Sequence, residues 1–167
     1  IDASLENAAM VLLANKKEEA EHATIVDLIR NDMSMVAKNV EVKRYRYIEE
    51  LQTNHKRLLQ TSSEISGILP ENYHENIGSI IFSMLPAGSV SGAPKKKTLQ
   101  VIRNAENNFR GYYTGIFGYF DGKTLESAVM IRFIEKKENK MFYRSGGGIT
   151  SSSNPQDEYK ELIDKIY

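Results

Sequence analysis

Two Glu-x-x-Glu pairs near opposite ends of the chain, Glu18/Glu21 and Glu158/Glu161, constrain its fold more than any other feature. A three-residue step puts both carboxylates of a pair on one face of a helix. If the pairs act together, the fold must bring the two ends of the chain to one place, where four carboxylates would bind a hard cation. Oxygen-only ligation with few protein groups per ion suits Mg2+ better than zinc. The first pair lies on a stripe of Val11, Ala14, Glu18, Glu21, Ile25 and Leu28, spaced as one side of a helix. Most of that stripe is apolar, so the spacing predicts that it faces the interior, where a carboxylate needs a metal, a cation or a hydrogen-bond donor. The second pair follows Ser153-Asn154-Pro155, a polar cap with Pro in the first turn. Spacing alone also allows both pairs to be solvated helix faces.

With 22 basic and 22 acidic residues the formal net charge is zero, so no long-range field favours nucleic acid or an anionic membrane surface. Specificity must come from a local site. The absence of cysteine rules out disulfides and thiolate ligands and fits a reducing, cytoplasmic compartment. No apolar run approaches the roughly 18 residues that cross a bilayer. The 167 residues are enough to bury a core and most simply form one domain. The chain starts with Ile1 rather than Met, directly before a strong helical pattern, as expected for a piece of a longer protein.

Periodicity predicts one helix from about Leu5 to Ile29, closed by Arg30-Asn31-Asp32. Strand-like runs follow at Val40 to Tyr47 and Leu58 to Leu69, then a short apolar helix at Asn76 to Leu85. A small-residue loop from Pro86 to Lys95 ends in Pro94 at a helix start, and the helix should run through about Glu106. Tyr112 to Phe120, Leu125 to Glu135 and Lys140 to Ser145 read as three antiparallel strands, with turns at Asp121-Gly122-Lys123 and Lys137-Glu138-Asn139. The expected class is α+β, mainly antiparallel sheet packed with helices.

Three further features bear on chemistry. The loop at 86–95 offers backbone N–H groups and hydroxyls, either as an anion site or as a tight connection. It is not a nucleotide-binding P-loop, because Gly92 is followed by Ala93-Pro94 rather than Lys-Ser/Thr. Arg132 falls in a run apolar on both sides, Ala128, Met130 and Ile134 on one and Val129, Ile131 and Phe133 on the other, which predicts a strand buried on both faces. A guanidinium there needs an anion, from a ligand or from an internal Asp or Glu. Gly146-Gly147-Gly148 permits close backbone approach to a ligand, or forms a bulge.

Taken in order, these segments resemble the chorismate-utilising enzymes, among them the large subunits of anthranilate synthase and aminodeoxychorismate synthase and the isochorismate and salicylate synthases. The resemblance is carried by Glu18-x-x-Glu21-His22, by Ile25 through Asp32, by Leu85 through Lys95, and by Arg110-Gly111-Tyr112-Tyr113 with Gly115, Gly118 and Tyr119. It continues through Ile131-Arg132 and through Gly146-Gly147-Gly148-Ile149 to Pro155-x-x-Glu158-x-x-Glu161. It implies that Glu18, Glu21, Glu158 and Glu161 surround a Mg2+ holding the ring carboxylate of chorismate. It further implies that Arg132 and Tyr113 contact the enolpyruvyl carboxylate, that Gly148 beside Gly147 offers its backbone N–H, and that Ser89 lies close to the ligand.

The chain departs from the family pattern at Gln60, where a His is usual, and at Ser152, where an Asp is common. The family's amino-terminal half is absent, including a Pro-Ile-Lys-Gly-Thr-like segment whose lysine is thought to attack the ring in the aminodeoxychorismate branch. Residues 1–167 would then be the C-terminal part of a chorismate-binding catalytic domain, inactive by itself. Gly146-Gly147-Gly148-Ile149 is more similar to the aminodeoxychorismate branch than the Gly-Ala-Gly of anthranilate synthase. That branch aminates chorismate to 4-amino-4-deoxychorismate on the way to 4-aminobenzoate and folate, with ammonia from a glutamine amidotransferase subunit. The other readings are the anthranilate or the isochorismate/salicylate branch, or a catalytically inert folded module that binds little or nothing; the fragment by itself is expected to self-associate through exposed strand edges.

Overall fold

A computed structural model describes residues 1–54, 56–151, 153–164 and 166. The chain forms two compact units, Ile1–Val101 and Ile102–Tyr167. Both combine helices with antiparallel β-hairpins, so the α+β expectation holds.

The first unit opens with two helices, α1 (Ala8–Ala14) and α2 (Lys16–Ser34), where the periodicity predicts one. Asn15 separates them: its backbone is extended and its side chain accepts from the N–H groups of Lys17 and Glu18, at 3.0 and 3.2 Å. A capped N-terminus satisfies donors that an uninterrupted helix would have bonded to the preceding turn. Val11 and Ala14 therefore sit on a different helix from Glu18, Glu21, Ile25 and Leu28, and the six do not form one stripe. The face of α2 turned inward is offset by one residue, through His22, Val26, Ile29 and Met33, with Val26 buried and Ile25 40% exposed. His22 explains the offset, since its Nε2 lies 2.6 Å from the Ser63 hydroxyl on the adjoining hairpin. The helix also runs past the polar stop at Arg30-Asn31-Asp32, because Asp32 is buried and bonded rather than turning to solvent.

That hairpin pairs β1 (Lys38–Gln52) with β2 (Arg57–Ile68), in regular register from Tyr47↔Ser62 to Gln52↔Arg57 and with three irregularities between Lys38 and Tyr47. Arg46, on β1, donates to the carbonyls of Leu13, Leu12 and Asn15 at 3.0, 3.2 and 3.3 Å. Its guanidinium thereby ties β1 to the junction between α1 and α2. A 3-10 turn at Tyr73–Glu75 leads into α3 (Ile77–Met84), the single turn α4 (Gly88–Ser91) and α5 (Lys95–Ala105), within which the division between the units falls.

The second unit holds two hairpins, β3 (Ile116–Phe120) with β4 (Leu125–Val129) and β5 (Phe133–Lys137) with β6 (Lys140–Arg144), then α6 (Pro155–Asp164). The second of the three predicted strands, Leu125 to Glu135, is thus two strands. Met130 still exchanges hydrogen bonds with Thr114 and Gly115, at 2.8 and 2.9 Å, but β5 pairs with β6 and not with β3. The chain must change partners between the two ladders, and it does so through a bend at Ile131-Arg132. Arg132 is accordingly exposed in a bend, not enclosed in a strand. No single helix among the described residues is long and apolar enough to cross a membrane.

Candidate active site

In the second unit a phenol, a glycine run and a carboxylate meet. The Tyr113 side chain, half-buried, lies directly against Gly146: a methyl group placed on Gly146 would sit 1.8 Å from the Tyr113 hydroxyl. Only glycine allows this approach. One residue on, a methyl at Gly147 would lie 3.7 Å from Glu158 Oε2, an ordinary contact. Glu158 is half-buried and its Oε1 accepts from the Ser153 hydroxyl at 2.7 Å. It stands in the first half of α6, which Asn154 caps by accepting from the N–H groups of Gln156 and Asp157 at 3.0 and 3.3 Å. Beside it Ile149, Ser153, Pro155, Tyr159 and Leu162 help to line an open groove of about 270 Å3. Gly148 and Glu161 are exposed.

Tyr113 is oriented by neighbours that the motif reading does not single out. Arg110 grips Glu106 through two hydrogen bonds, 2.8 and 2.6 Å, donates to the Thr114 hydroxyl at 3.3 Å and holds its guanidinium 5.5 Å from the centre of the Tyr113 ring. Burial raises the Tyr113 phenol above its usual value, partly opposed by the Arg110 charge, so the hydroxyl stays protonated and able to donate at neutral pH. The hydrogen bonds from Arg110 hold the Glu106 carboxyl below the usual range. Both residues lie beyond the end of α5, so helical spacing does not signal this pair.

In the first unit Glu18 is exposed and Glu21 half-buried, both on α2. Glu18 stands at the third position of the helix, where the peptide dipoles favour a carboxylate even without a metal. Glu21 lies 3.7 Å from the Lys17 ammonium. Ser89 is exposed on α4. Gln60 replaces the usual His, and its amide donates to Glu49 at 2.9 Å, which also accepts from Ser62 at 2.6 Å. These hydrogen bonds hold the Glu49 carboxyl low. Ser152 lies outside the described residues.

Each unit thus gathers part of the predicted set: Tyr113, Gly147 and Glu158 in one, Glu18 and Glu21 on one helix of the other. Within neither unit do three His, Asp or Glu side chains among the described residues form a metal-binding group. The donors are nevertheless hard oxygens of the kind that Mg2+ takes.

The chain belongs to the chorismate binding enzymes, whose family profile matches residues 2–167. It is 59% identical over 167 residues to "Uncharacterized PabA-like protein" of Haemophilus influenzae, spanning 51% of that protein. It is 37% identical to anthranilate synthase component 1 of Aquifex aeolicus over 92% of this chain and 31% of that protein. Identity to aminodeoxychorismate synthase component 1 of Bacillus subtilis is 34%, over 97% of this chain and 34% of that one. Among solved structures, anthranilate synthase component I from Streptococcus pneumoniae matches with a TM-score of 0.78 at 34% identity, over 95% of this chain and 36% of that one. The chain spans about half the length of the Haemophilus influenzae relative and about a third of the other two.

Proposed function

We propose that this chain forms the carboxy-terminal part of an aminodeoxychorismate synthase component I, which aminates chorismate to 4-amino-4-deoxychorismate for 4-aminobenzoate and folate synthesis. The observation that carries the reading is the apposition of Tyr113 and Glu158 along the triple glycine, in a chain of the chorismate binding family. A protonated phenol and backbone N–H groups suit one ligand carboxylate, and the carboxylate pair on α6 would suit a second one only through a bound cation. In this reading Tyr113 and Arg132 hold the enolpyruvyl carboxylate, Gly148 beside Gly147 donates its N–H, and Ser89 lies near the ligand. Glu18, Glu21, Glu158 and Glu161 hold Mg2+, which when bound neutralises the ring carboxylate and stabilises charge as the ring hydroxyl leaves. Preorganised donors reduce the reorganisation left for the transition state. Ammonia comes from a separate glutamine amidotransferase subunit.

The glycine at 147 and the "PabA-like" description of a 59% relative support this branch. The 37% identity to an anthranilate synthase favours the alternative. Incubating the full-length protein with chorismate, ammonium and Mg2+ and identifying the product by chromatography and mass spectrometry separates them. We expect 4-amino-4-deoxychorismate; anthranilate would assign the chain to the other branch.

A further inference from the structure

Asp32 is a charged side chain only 9% exposed, and none of the roles above uses it. Its two oxygens point to two different places in the chain. Oδ2 accepts from the backbone N–H of Gly88 at 2.6 Å, and Oδ1 from the Lys95 ammonium at 2.5 Å. Lys95 also donates to the Met84 carbonyl at 3.4 Å. One carboxylate near the end of α2 therefore ties the first residue of α4 to the first of α5, and Lys95 in turn reaches the last of α3. Met84 and Lys95 flank the small-residue segment that carries Ser89, and Gly88 lies within it.

The seat of α4 on α2 is equally particular. A methyl on Gly88 would come within 2.8 Å of Leu28 Cβ and 3.1 Å of Asp32 Oδ2, so α4 packs at a distance only glycine permits. Ser91, 1% exposed, returns its hydroxyl to the Ala87 carbonyl at 3.0 Å and closes the turn. A single helical turn has almost no stability of its own, so its position is set by these contacts. The same α2 carries Glu21 eleven residues before Asp32, about 16 Å along one rigid helix.

We propose that Asp32 and Lys95 are positioning residues that fix the Ser89 loop on the helix bearing Glu18 and Glu21, and so set the affinity for the carboxylate substrate. The inference rests on the reading above that Ser89 lies beside that substrate. Neither residue touches it; each acts through the placement of α4. The conservative variant K95R keeps a donor for Asp32, whereas D32N and K95M remove one charge each.

The test compares D32N, K95M, K95R and S89A in the full-length protein by amide hydrogen exchange and steady-state kinetics with chorismate. We expect D32N and K95M to speed exchange at residues 88–92 at least tenfold and raise KM about tenfold. kcat and the half-saturating Mg2+ concentration should change less than threefold, and K95R should restore most of the KM. K95M covers the case in which D32N does not fold, since Lys95 is more exposed than Asp32. Unchanged exchange at 88–92 in K95M would overturn the clamp itself. Faster exchange with unchanged KM in K95M and in S89A would instead remove Ser89 from the substrate site, and the functional half of the proposal with it.

Discussion

Gly146 and Gly147 adjoin in sequence and differ in what they tolerate, a distinction that no sequence pattern supplies. At Gly146 a methyl group overlaps the Tyr113 hydroxyl, while at Gly147 it merely touches Glu158. Gly146→Ala should therefore displace Tyr113 and lower kcat/KM of the full-length protein by tenfold or more, about 1.4 kcal/mol. Gly147→Ala should stay within about threefold, roughly 0.6 kcal/mol. Equal losses at the two positions would show that the Tyr113 contact does not matter to the site. The run of three glycines was legible in sequence as a place of close approach, but which glycine is obligatory depends on a side chain more than thirty residues away. Asp32 was hidden for the same reason: an Arg-Asn-Asp step reads as a helix stop, and only the partners at Gly88 and Lys95 turn it into an interior residue.

Among the elements, α3, α5, both long strands and the Asp121-Gly122 turn lie within a few residues of where periodicity and turn chemistry put them. The misplaced boundaries each have a local cause. The break between α1 and α2 was signalled by Asn15 with Glu18 three residues later, a capping pattern that outweighs the continuous apolar spacing across it. Asn15→Ala should lower stability to urea by about 1 kcal/mol; no change would mean that the two helices merge without cost. The division of the predicted 125–135 strand follows from a change of pairing partner, which propensity does not record. The Glu106–Arg110 pair makes a pH-dependent contribution. The carboxyl is held low in the folded protein, so it protonates more readily when unfolded, and its contribution is complete above the usual carboxylate range, near pH 4.5. It is lost as pH falls through the depressed folded value. Glu106 is 43% exposed, so Glu106→Gln should cost only about 0.5 kcal/mol at pH 7, with the gap to wild type closing in acid. A gap that widened as pH fell would reverse the sign.

At the scale of the whole molecule, large apolar side chains stand exposed in both units, Phe82 at 79% in the first and Phe117 and Tyr119 at 70% and 71% in the second. The hairpins of the second unit are two-stranded and so leave edges unpaired, which favours association. Light scattering on the 167-residue chain should show mass rising with concentration; a monodisperse monomer at all concentrations would contradict this. Among the described residues each sheet joins strands that are neighbours in sequence, whereas the bonds from Gly88 and Lys95 to Asp32 span 56 and 63 residues. Local pairing closes small loops and is quick, and distant ties wait on the slower search. In stopped-flow experiments on the first unit's transition, removing the Asp32 carboxylate should therefore accelerate unfolding and leave the refolding rate nearly unchanged, so that the buried tie acts as a latch on the time the folded state survives.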